Sequence, residues 1–261
     1  MSATSSIVEL GRLTTKIEGA VARIQLRHPP LNVIDVPMME DLAQVLAEIE
    51  SRTDIAIVVF GGEGKAFSAG VDVAAHTPDK VEEMLGKFHG VIRSLVATKK
   101  VTIATVHGPC LGGGAELAMV CDIVYTTEDA QWGFPEIKLG CYPPVACAAL
   151  AALVGQKRAS ELILTGRSIT GSEAAQIGLA TAAVADDPYS AVEECVGNLL
   201  QLSSAALAVT KKALYAWDSI HFDKGLARAE KTYFEDLMKT ADAHEGICAF
   251  MEKRAPKWTG R

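Results

Sequence analysis

The chain has 261 residues, 49% of them hydrophobic and 22% charged, which is ample for a large core and excludes a mainly disordered chain. A formal net charge of −7 argues against a broad nucleic-acid-binding face, and the longest apolar run, the ten residues Val145 to Val154, is roughly half of what a bilayer crossing requires. The first residues lack both the basic start and the apolar core of a targeting segment, no cysteine pair has C-x-x-C spacing and the histidines form no ligand motif, so the expectation is a cytoplasmic protein with reduced thiols and no metal.

In chain order, residues 7 to 26 alternate around Glu18-Gly19 and predict a β-hairpin. Val36 to Ser51 predicts an amphipathic helix, with Met39, Leu42, Val45, Leu46 and Ile49 on one face. Ile55 to Phe60 predicts a buried strand, followed by the loop Gly61 to Lys65 and the small-residue segment Ala66-Phe-Ser-Ala-Gly-Val-Asp72. Val81 to Val96 predicts a second amphipathic helix. Strands follow at 101–106 and 123–126, separated by Leu111-Gly-Gly-Gly-Ala-Glu116 and a short helix from Glu116 to Val120. Val145 to Val154 predicts a helix opened by Pro143-Pro144, and Ala182 to Ala185 is the last strand candidate. Ala191 to Leu202, Ala205 to Trp217 and Phe222 to Lys239 predict helices. Strands alternating with helices give an α/β class with parallel pairing, and the C-terminal part is helical.

Two strand ends carry the chemistry. Three glycines at a strand-to-helix turn let the backbone approach a ligand and leave amides unpaired at a helix start, where negative charge is favoured. Glu116 stands just beyond them, and the Ala66 to Asp72 loop offers a second close-approach turn. Ligands in α/β folds bind beyond such strand ends. A second carboxylate arrives in Trp132-Gly-Phe-Pro-Glu136. Two carboxyls facing one site can divide acid and base duties, since burial and repulsion separate their pKa values.

These segments together resemble the enoyl-CoA hydratase/isomerase (crotonase) family over nearly the whole chain. The resemblance rests on Asn32, Ala66 to Asp72, Gly112 to Asp122, Trp132 to Gly140, Leu164 to Thr170, Ala174 to Leu179 and Phe250 to Arg254. It implies a crotonase-like spiral of β-β-α units over 1–200 holding the acyl-CoA site, and a helical trimerisation region over 201–261. It also implies a homo-oligomer, a trimer or dimer of trimers, acting on an acyl-CoA thioester with no separate cofactor. The oxyanion hole falls on the backbone N–H groups of Val71 and Gly113, with Ala69, Asp72, Pro143 and Pro144 around the acyl group. Glu116 is implied as the residue activating water and Glu136 as the proton donor. Lys65, Phe234 and Lys253 match positions that approach the CoA moiety in relatives.

One segment departs from common hydratases. Where they continue with a glycine-rich run, this chain has Cys141-Tyr-Pro-Pro-Val-Ala-Cys147, and Pro144 has no N–H to donate. The Pro-Pro-Val-Ala stretch is similar to the subgroup that hydrates cyclic dienoyl-CoA esters such as cyclohexa-1,5-diene-1-carbonyl-CoA. Rival expectations are double-bond isomerisation or thioester hydrolysis on the same fold, and a non-catalytic, RNA-binding relative. Both glutamates weigh against isomerisation, and the acidic charge against RNA. A dinucleotide-binding fold fails on spacing, since Gly112-Gly-Gly114 is not G-x-G-x-x-G.

Overall fold

The computed structural model describes residues 6–215 and 218–260, and it holds two sheets wrapped by helices. Strands β1 (Ser6–Leu10), β2 (Leu13–Glu18) and β3 (Val21–Leu26) pair antiparallel. The expected single hairpin is thus a three-strand meander. Its extra turn is at Gly11-Arg12, where Gly11 takes a φ of +32° and the Arg12 N–H is given to Asp41 Oδ2 at 2.9 Å. Parallel strands β4 (Ile57–Gly62) and β5 (Val101–Val106) continue the sheet. β4 starts two residues later than its apolar run suggests, because the Ala56 N–H turns to Ala20 O before the ladder begins.

Between these strands lie α1 (Val36–Ser51) and α2 (Val81–Ala97). Asp35 caps α1 by accepting the Met38 N–H at 3.0 Å, which satisfies one orphan donor of the first turn. Residues of β3 to β5 alternate between two cores. Ile24, Val58, Phe60, Ala104 and Val106 face α1 and α2, while Val21, Ile57, Val59 and Ile103 face Val192 and Val196. Burial on both faces is why β4 and β5 read as continuous apolar runs.

Past β5 come β6 (Pro109–Leu111), α3 (Gly113–Met119), β7 (Ile123–Thr127) and β8 (Gln131–Gly133). A 3-10 turn over Pro135–Leu139 leads to α4 (Pro144–Val154), α5 (Gln156–Thr165) and β9 (Ser168–Thr170). The chain continues through α6 (Gly171–Gln176), β10 (Ala182–Val184) and α7 (Tyr189–Leu200). The large sheet has the order β1-β2-β3-β4-β5-β7-β10, and β6, β8 and β9 form a second sheet that periodicity does not reveal. Three-residue strands are too short to show a period of two.

The last helices are α8 (Ser204–Tyr215), α9 (Asp218–Glu235) and α10 (Ala241–Met251). The expected end of α8 at Trp217 lies outside the described residues. The expected helix to Lys239 stops at Glu235, and Leu237–Lys239 is a 3-10 turn. Helix α9 packs on α4 and α2, and α10 on the 3-10 turns at 73–76 and 135–139. Among the described residues, no helix is long and apolar enough to cross a membrane.

Candidate active site

The Ala66 to Asp72 loop is held from both sides. Buried Asn32, at a φ of +51°, donates through Nδ2 to Glu63 O and Ala66 O at 2.9 and 2.8 Å. Ser68 Oγ donates to Asn32 O at 2.7 Å, and the Gly70 N–H donates to Ser68 Oγ at 3.1 Å. The amides of Phe67, Ser68, Ala69 and Asp72 go to the carbonyls of His107, Pro109, Leu31 and Ile34. Among the described residues, every amide from 67 to 72 is thereby bonded except that of Val71.

The glycine turn meets this loop. Gly112, at φ 50° and ψ −128°, adopts a backbone open only to glycine and starts α3, while its N–H ties to Gly133 O at 2.9 Å. Gly113 is the first residue of α3, where an amide has no carbonyl one turn back. A methyl built on Gly113 would stand 3.4 Å from the Val71 nitrogen and 2.6 Å from its Cγ2. A methyl on Gly114 would meet Ser68 Cβ at 2.7 Å. The glycines thus let two unbonded amides, on separate loops, sit side by side.

Both carboxyls reach the same place. A cavity of about 70 Å³ is lined by Val71, Gly113, Glu116, Glu136, Pro143 and Pro144, with further walls from α2, Cys141, Tyr142, Tyr233 and Ile247. Glu116 Oε1 accepts the Ala146 N–H at 2.9 Å at the start of α4. Burial pushes its carboxyl up to about 7, and the amides of Ala146 and Val145 limit the rise. For Glu136 burial is joined by repulsion from Glu116 beside it, and its own backbone amide offsets little of this, so its carboxyl is pushed well above the usual range. Its Oε2 is buried without a partner. Burial thus favours the protonated form of both carboxyls, and the α4 amides favour ionisation of Glu116 over Glu136.

Other residues named from sequence stand elsewhere. Ala69 gives its amide to Leu31, and Asp72 caps the 3-10 turn at 73–76 by accepting the Ala74 N–H at 3.0 Å, so neither lines the cavity. Lys65 and Lys253 are exposed, and Phe234 is half-buried with its ring 6.0 Å from that of Tyr233. None of the three borders the cavity. His76, Tyr142, Tyr233 and Ile247 do border it and were not singled out from sequence. A tyrosine at helical spacing reads as packing, and nothing in sequence alone marks which face of α9 turns inward.

Similarity to known proteins follows the same residues. The pattern of the enoyl-CoA hydratase/isomerase family matches residues 16–261. Cyclohexa-1,5-dienecarbonyl-CoA hydratase of Thauera aromatica is 33% identical over 244 residues, covering 94% of this chain and 95% of that protein. A probable enoyl-CoA hydratase of Mycobacterium bovis is 34% identical over 245 residues, covering 92% and 95%. The crystal structure of an enoyl-CoA hydratase from Mycobacterium avium subsp. paratuberculosis superposes with a TM-score of 0.86 at 28% identity, over 96% of this chain and 100% of that one.

Proposed function

The chain belongs to the enoyl-CoA hydratase/isomerase family, and we propose that it adds water reversibly to an α,β-unsaturated acyl-CoA, with a cyclic dienoyl-CoA as the favoured substrate. The observation that carries this reading is the pair of buried carboxyls, Glu116 and Glu136, facing one cavity beside two unbonded amides. An isomerase needs one proton-shuttling acid, whereas addition of water uses a base for the water and an acid for the carbon.

In this reading the thioester oxygen sits between the Val71 and Gly113 amides, which strengthen their grip as negative charge grows on it. Ionised Glu116 takes a proton from water as its oxygen bonds to Cβ. The C=C electrons move to the enolate, and Glu136 delivers its proton to Cα. Transfer of the proton from Glu116 back to Glu136 resets the pair. On a conjugated ring, the oxygen bonds at the β carbon and the proton goes to the far end of the diene. The Pro143-Pro144 wall is rigid, which suits a flat, rigid ring. Identity to the Thauera aromatica hydratase points the same way.

Ala69 and Asp72 shape the loop behind the acyl site, and Lys65, Phe234 and Lys253 reach the CoA portion, which is part of the substrate, so no separate cofactor enters. The C-terminal region 201–261 also builds a trimer or dimer of trimers in the cytoplasm. The test is loss of the conjugated-thioester absorbance with crotonyl-CoA beside cyclohexa-1,5-diene-1-carbonyl-CoA. Turnover of the ring with little of the linear ester supports the full reading. Brisk turnover of crotonyl-CoA alone keeps the hydratase and removes the ring, and turnover of neither removes the hydratase.

A further inference from the structure

Tyr233 is 1% exposed and lines the cavity beside the Cys141 thiol, and among the described residues no group meets hydrogen-bond geometry with its hydroxyl. A buried, unpaired hydroxyl is destabilising, so its retention calls for a partner that arrives with the ligand. The ring is held in place. Tyr142 packs edge-on at 5.2 Å between centroids, and Tyr142 in turn donates to Ala229 O on α9 at 2.6 Å.

An account of donors narrows what that partner is. The polar side chains on the cavity wall are His76, Glu116, Glu136, Cys141, Tyr142 and Tyr233. His76 is neutral through burial, and its Nδ1 is engaged by Asp72 O at 3.0 Å. The Tyr142 hydroxyl is given to Ala229, and the Cys141 thiol to Leu139 O at 3.7 Å. At the start of α4, Pro144 has no N–H, and the amides of Val145 and Ala146 are taken by Glu116. With the Val71 and Gly113 amides given to the thioester oxygen, the side-chain donors left among the described residues of the wall are the Glu136 carboxyl and the Tyr233 hydroxyl. The Glu136 proton is needed for carbon. The Cys141 thiol and then the Glu136 carboxyl are close enough for their charges to bear on the phenol, which puts Tyr233 at the acid end of the site.

We infer that Tyr233 is a substrate-contacting residue whose O–H donates to the oxygen being added, first as water and then as the hydroxyl of the product. The inference rests on the hydratase reading above. Water then gives one proton to Glu116, attacks with one lone pair and has the other held by the phenol. The phenol keeps its own proton throughout, so the balance of the hydration is unchanged.

Tyr233→Phe removes only that hydroxyl. With whichever thioester the wild type hydrates, kcat should fall about ten- to a hundredfold while KM moves less than about threefold. The melting temperature should hold or rise, since an unpaired polar group is gone. A second measurement compares binding of the hydroxylated product with its saturated, hydroxyl-free analogue by calorimetry. Wild type should prefer the hydroxylated ester, and the variant should lose roughly five- to tenfold of that preference. Unchanged kcat and preference in the variant, or a rise in KM alone, would overturn the role of Tyr233 and leave the hydratase standing. A wild type that hydrates neither thioester would overturn both.

Discussion

Glu116 and Glu136 are two buried carboxyls separated in behaviour by two backbone amides. The start of α4 stabilises the ionised form of Glu116 and leaves Glu136 without that help. The proposed hydration needs Glu116 ionised and Glu136 protonated, so kcat/KM against pH should be a bell. Its acid limb should lie near 7, where Glu116 titrates, and its alkaline limb where Glu136 loses its proton. The limbs belong to the pair, since each carboxyl feels the other. Glu116→Gln and Glu136→Gln should each lower kcat by about 10²- to 10⁴-fold, and a flat profile in the wild type would contradict the division of labour. Stability carries the opposite signature. Both folded-state values are raised, so the folded chain holds protons that the unfolded chain releases above the ordinary value of 4.5. Their contribution is full below that value and declines as pH rises through about 7, by about 1.4 kcal/mol per pH unit for each proton held. Thermal unfolding of Glu136→Gln between pH 5 and 8 should show a shallower decline than the wild type.

The turn into α3 is the element on which both loops depend. Gly112→Ala would force a side chain into a φ of +50° and set a methyl 2.7 Å from Glu136 Oε1. The expected result is a loss of about 1–2 kcal/mol of stability for the left-handed backbone. Displacing the acid should also lower kcat at least a hundredfold. Wild-type kinetics in a folded Gly112→Ala would show that Glu136 is not held where it must be. This turn was legible in the sequence because glycine runs and a following acid mark their own geometry. The Asn32 brace was named, but its work, donating to two carbonyls across thirty-odd residues, was not readable from spacing. The small sheet and the Gly11 turn went unread for a related reason. Short ladders and single turns carry too few residues for a pattern, and their hydrogen bonds run to distant partners. Likewise Tyr233 is an aromatic on a helix face, and only packing against Tyr142 turns it inward.

At the scale of the whole molecule, the α8 surface is unusual. Val209 and Leu214 are 68% and 69% exposed, a cost that assembly would remove. The wild type should sediment as a trimer or hexamer, and a Val209→Asp, Leu214→Asp double variant should shift toward monomer. A monomeric wild type at micromolar concentration would contradict assembly through this region. The large sheet and the site residues on its loops are complete by Val184, which is why the α/β core could be read from strand–helix alternation. Tyr233 and Ile247, however, close the cavity from the C-terminal helices. A nascent chain leaving the ribosome therefore has both glutamates and both amides before it has a closed chamber around them. Synthesis of the final helices is the event that completes the wall around the two carboxyls.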